Sequence, residues 1–134
     1  MQPYFVPYIG YFQMVNAVDT FVFYDNVTYI KNGWINRNRI KGGNILTIPI
    51  KNQSSNILIQ NTEINWDSRH VKKLFKTLQQ TYSKSPYFNE VFDIVEDLLQ
   101  NQPSTISELA INSVIKFSKY LDINTEFKIA SKEN

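Results

Sequence analysis

The sequence contains no cysteine. Disulfides and thiolate zinc sites are therefore excluded, an absence that suits a reducing cytoplasm. Its single histidine, His70, likewise rules out a histidine-rich metal centre. No apolar run approaches the ~18 residues of a membrane span, and residues 1–20 lack the basic start and apolar core of a signal peptide. The net charge of +2 is too small to argue for a nucleic-acid partner. Glycine and proline are also scarce, four and five. No low-complexity tract, repeat or linker divides the 134 residues, so they read as one domain. With 43% hydrophobic and 19% charged residues the chain belongs with folded, soluble proteins.

What is present is concentrated in the first 40 residues. Gln2-Pro3 and Pro7-Tyr8-Ile9-Gly10 form a rigid loop, because proline fixes its own φ and pushes the preceding residue toward extended backbone. Gly10 then allows a turn or close approach to a ligand. Tyr11, Phe12, Met14, Val15 and Val18 have the spacing of a one-sided helix ending near Asp19. Thr20–Tyr24 is short, aromatic and β-branched, hence a buried strand, with Asp25-Asn26 at its exit. Loop, helix and strand make half of a βαβ unit, in which ligands lie beyond the C-terminal strand ends. The strand that should precede Met1 is missing, so the sequence is expected to be truncated at its N-terminus.

Asn32-Gly33 predicts a hairpin between 26–30 and 34–38. Lys41–Asn44 is a turn, Ile45–Ile50 a strand that Pro49 confines to an edge, and Ile57–Gln60 another strand, together a meander added to the first sheet. From Trp66 the period changes to 3.6. Asp67 or Ser68 caps a helix with Val71, Leu74, Phe75, Leu78 and Tyr82 on its apolar stripe. Ser85-Pro86 opens a second with Val91, Phe92, Val95, Leu98 and Leu99 inward. Thr105–Glu108 fits a capping box opening a third, with Leu109, Ile111, Ile115, Phe117 and Leu121 as core. Glu126–Ile129 returns as a strand. The class is α/β: a mixed sheet with a βαβ-like N-terminal half, followed by a helical region.

In an extended 36–39 segment, Arg37 and Arg39 share one face and Asn36 and Asn38 the other. With Lys31 nearby, the two guanidinium groups suit phosphate or carboxylate, although a solvated basic strand edge would look the same. Asp25, at a strand end, is the stronger catalytic candidate, against an alternative as a turn cap. His70, beside Arg69, Lys72 and Lys73, is a second candidate base. Trp34, Tyr4, Tyr8, Tyr11 and Tyr29 could stack on a sugar or base ring or fill the core.

Gln2–Phe5, Pro7–Phe12, Phe21–Val27, Tyr29–Lys31 and above all Gly33-Trp34-Ile35-Asn36-Arg37-Asn38-Arg39-Ile40 resemble the opening of the WbqC-like family. The resemblance continues through Trp66, His70 and Tyr82 to Pro86-Tyr87-Phe88, and it implies that the C-terminus is short as well. It further implies a cytoplasmic protein of bacterial surface polysaccharide (O-antigen type) synthesis, a transferase adding an acyl or aminoacyl group to a nucleotide-linked amino sugar. Lys31, Arg37 and Arg39 would hold the diphosphate, Asp25 or His70 would take the amine proton, and the Gln2–Gly10 loop, with Pro7 and Tyr8, would shape the acceptor pocket. Trp34, Asn36 and Asn38 complete the expected substrate contacts. A non-catalytic binding or scaffold protein of the same pathway is the alternative. No cofactor is implied. The loop and helix are also similar to the start of nucleotidylyl transferases of the HIGH-motif type. The motif's histidines are absent, since Tyr11 follows Gly10, so nucleotide binding stays open and adenylyl transfer is not expected.

Overall fold

A computed structural model describes residues 1–67 and 69–133. Its helices are α1 (Ile9–Asn16), α2 (Arg69–Tyr82), α3 (Phe88–Gln100) and α4 (Ile106–Tyr120). Its strands are β1 (Thr20–Phe23), β2 (Arg37–Arg39), β3 (Ile45–Thr47) and β4 (Glu126–Ile129). β1 pairs in parallel with β4 in the register Thr20↔Glu126 to Phe23↔Ile129, and β2 pairs antiparallel with β3. The chain is thus α/β.

The core begins at β1, where period-two alternation turns Phe21 and Phe23 inward. Phe23 stacks on Phe127 at 5.5 Å and meets Phe21 edge-on at 5.2 Å. α1 lays Tyr11, Phe12 and Val15 on this cluster, with the Tyr11 ring 5.5 Å from Phe21. The Thr125 hydroxyl ties the two layers by donating to the Val15 carbonyl at 2.7 Å. On the edge of β1 away from β4, the Met1 amine donates to Val22 O at 3.0 Å and Tyr24 N–H donates to Met1 O at 2.8 Å.

The other half of the core is built on α4, whose Ile106, Leu109, Ala110, Val114 and Phe117 are buried. Thr105 caps it, its hydroxyl accepting from Glu108 N–H at 3.2 Å. Thr105→Ala should lower stability by about 1 kcal/mol, seen as a drop of a few degrees in Tm, whereas Thr105→Ser should hardly move it. α3 packs on α4 through Val95, Leu98 and Leu99, and a Lys116–Asp97 ion pair and a Tyr120–Glu90 hydrogen bond bridge the two outside.

Four local expectations are corrected. The hairpin of 26–30 with 34–38 does not form. Asn32 is left-handed (φ 62°) but Gly33 is not, and the type I′ turn needs both. The partners of both arms also lie elsewhere: Tyr29 N–H donates to Ile57 O and Phe5 N–H to Ile35 O. Gly42 and Gly43, both at positive φ, make the turn that folds β2 onto β3, so the 37–47 hairpin stands apart from the β1–β4 pair and adds no meander to it. Ile57–Gln60 is no strand. A single bridge from Leu58 to Thr28 leads into a 3₁₀ turn at Ile59–Asn61. Ser85-Pro86 does not start α3, because Tyr87, left-handed at φ 64°, is the N-cap and Phe88 is the first helical residue. The expected cap at Ser68 lies outside the described residues.

Candidate functional site

The opening loop is held by its backbone. Tyr11 OH donates to Gln2 O at 2.8 Å, and Phe5 N–H reaches Ile35 O at 2.9 Å. Between them Val6 sits at φ 40°, a costly conformation for a β-branched residue. Both of its polar groups are pinned: Val6 N–H donates to Ser113 Oγ at 3.0 Å, and Val6 O accepts from Asn38 Nδ2 at 2.7 Å. Such a conformation persists only where surrounding bonds over-determine it. Asn38 Oδ1 in turn accepts from Arg39 N–H at 2.8 Å, so one carboxamide fastens loop to strand.

Phe5 and Val6 form one wall of a cleft of about 310 Å³. The end of β2 (Asn38, Arg39, Ile40) and Leu46 of β3 form the second wall, and α2, α3 and the turn between them form the third through Leu74, Leu78, Tyr82, Tyr87, Val91 and Phe92. This bears on the burial of α2: it has the apolar stripe of a core helix, but only Leu74 is fully buried, with Leu78 and Tyr82 facing the cleft and Phe75 meeting Phe92 edge-on. A second, polar cleft of about 420 Å³ lies across the same two leucines. Leu46 and Leu74 line both, and the polar side carries Thr47, Gln53, His70, Lys73 and Thr77.

Of the residues singled out in the sequence, Asn38 and Arg39 line the apolar cleft and His70 the polar one. The paired-guanidinium clamp is not assembled. Arg37 folds back on its own turn, donating through Nε to Gly33 O at 2.9 Å and through Nη2 to Asn32 O at 2.5 Å, with its guanidinium carbon 5.1 Å from the Trp34 ring centroid. Arg39 and Lys31 remain exposed. Asn36 turns inward, its Oδ1 accepting from Tyr29 OH and its Nδ2 donating to Ile48 O, both at 2.9 Å. Burial pushes the Tyr29 phenol above its ordinary range, with Arg37 opposing, so it stays a donor.

Asp25 is at the end of β1 and only 4% exposed. Both its oxygens are taken by Ser131, Oδ1 by the backbone N–H at 2.9 Å and Oδ2 by the hydroxyl at 2.6 Å, rather than by a cap on Asn26 and Val27. It lines neither cleft and is not brought together with His70. Pro7 is buried, Tyr8 is 65% exposed, and a side chain on Gly10 would press on the Tyr8 ring. Val6, Leu46, Leu78 and Tyr87 escaped the sequence reading as site residues. The α2 stripe was visible there, but nothing local marked it as facing a cleft. Among the described residues no group of three or more His, Asp or Glu could hold a metal ion, and no helix is long and apolar enough to cross a membrane.

Comparison with known proteins agrees with the motif reading. The uncharacterized protein Rv1507c of Mycobacterium tuberculosis (strain ATCC 25618 / H37Rv) is 30% identical over 135 residues, covering 93% of this chain and 56% of the relative. The chain thus spans a little over half the length of the curated relative it matches. No solved structure matches. The family description "WbqC-like protein family" fits residues 2–134, essentially end to end, and the chain belongs to that family.

Proposed function

We propose that this chain is a cytoplasmic transferase of bacterial surface polysaccharide synthesis, of the O-antigen type, that adds an acyl or aminoacyl group to a nucleotide-linked amino sugar. The observation that carries this reading is the pair of clefts adjoining across Leu46 and Leu74, one polar and one apolar. A transfer reaction needs two differently shaped reactants held side by side, and their positioning supplies much of the rate. The polar cleft suits the sugar nucleotide: Lys73 in its lining meets a phosphate, with the exposed Arg69 and Lys72 adding positive charge on the same helix, and His70 in the lining takes the amine proton. The amine nitrogen forms the new C–N bond to the acyl carbon. The bond from that carbon to its leaving group breaks, and the proton carried by His70 passes to that group. Asp25, gripped by Ser131, acts in this reading by fixing the end of β1.

The grip on Asp25 equally favours the alternative, a non-catalytic binding or scaffold protein of the same pathway. Calorimetry and thermal shift with free nucleotides against nucleotide-linked amino sugars separate the readings. Selective binding of the sugar nucleotides, weakened about tenfold by Lys73→Ala, is expected. His70→Gln should cut turnover by about 10²–10⁴-fold while affinity holds. Binding without turnover in either form favours the scaffold, and no binding at all overturns both.

A further inference from the structure

The apolar cleft differs in lining from the polar one beside it. We infer that it takes a linear apolar acyl chain carrying an anionic end, seated along Leu46, Leu78, Val91 and Phe92 with the anion at Arg39. As the donor half of a transfer the inference rests on the function proposed above; the binding itself does not.

Three observations converge on it. The first is size and lining. A volume of about 310 Å³ is at the small end of the ~300–1,000 Å³ typical of small-molecule sites, and the side chains named are half-buried, with apolar surface still to cover. The second is charge complementarity. Arg39 is the charged residue of the lining and is exposed, and among the described residues no hydrogen bond or ion pair engages its guanidinium, so the fork can receive a carboxylate or phosphate end-on. Beside it Tyr82 OH accepts from Lys41 N–H at 2.8 Å, which leaves its own hydrogen to donate. The third is backbone strain on two facing walls. Val6 (φ 40°) and Tyr87 (φ 64°) are both left-handed non-glycine residues, and both line this cleft. Val6 is clamped there from two sides by Ser113 and Asn38, so this wall is preset rather than collapsed onto α2. An aminoacyl group, with its charged amine, fits such a lining poorly, so the chemistry favours plain acyl.

Calorimetry of unbranched carboxylates from butanoate to decanoate tests it. Each added methylene should tighten binding about fourfold until the cleft is full, after which affinity should level off. Arg39→Ala should weaken the carboxylates about tenfold and leave the matching alcohols unchanged. Leu78→Trp, at a half-buried site, should abolish the chain-length dependence while the thermal transition stays cooperative. Carboxylates that bind without chain-length dependence, or not at all, overturn the inference. So does a concentration-dependent dimer that Leu78→Trp dissociates, since a second copy would then cover the cleft. Sugar nucleotides binding without carboxylates would sink this site alone. Carboxylates binding without sugar nucleotides would sustain it and remove the transferase reading.

Discussion

Phe23→Ala should unfold most of the molecule at moderate denaturant. Phe23 is fully buried where β1, β4 and the ring of Phe21 meet, and it stacks flat on Phe127. Its removal loses the transfer free energy of the ring and leaves a cavity that two strands fixed in register cannot close. Losses of about 3–5 kcal/mol are usual for such a truncation, a large part of the roughly 5–15 kcal/mol that holds a typical protein together. Urea titration followed by circular dichroism would measure it, with Phe23→Leu as the volume-sparing control expected to lose much less. A loss below about 1 kcal/mol in the alanine variant would mean that the β1–β4 pair is not the centre of the core.

Asn36→Ala should be nearly as damaging for a different reason. The residue buries little apolar surface, but its carboxamide satisfies two buried groups, Tyr29 OH and Ile48 O. Alanine strands both without water, at about 1–3 kcal/mol for each unpaired group. The expected sum is about 3–4 kcal/mol. Adding Tyr29→Phe removes one of the stranded groups, so the double variant should be more stable than Asn36→Ala alone. If the two losses simply add, the hydrogen bond between them is not what Asn36 supplies.

The Asn-Arg-Asn-Arg stretch shows how far the sequence could be read. Its density of polar side chains marked it out, and alternation assigned its residues to two faces, but alternation says nothing about what each face meets. Asn36 meets the core, Asn38 a strained loop carbonyl, and Arg37 its own turn, leaving Arg39 at a cleft. The outcome depends on Phe5 and Ile48 arriving from other segments, contacts with no local signature. Periodic elements were more transparent. The Thr105 N-cap of α4 and the return of 126–129 as a strand follow from spacing and β-propensity alone. The 26–38 hairpin failed because Asn32-Gly33 permits a turn without dictating the φ of its second residue, and long-range pairing decided that angle. The apolar cleft was hidden because a stripe of leucines reads the same whether it faces a core or a ligand.

The pairing of β1 with β4 has a consequence for how the chain reaches this structure. Thr20 and Glu126 are partners 106 positions apart. Helices α2 to α4 are built from local contacts and can form early, but one edge of β1 has nothing to pair with until residues 126–129 have left the ribosome. Closing so long a loop carries an entropic toll before any contact repays it. Folding should therefore finish late, with β4 docking as the last, rate-limiting event. During synthesis a strand edge beside two aromatic rings waits uncovered.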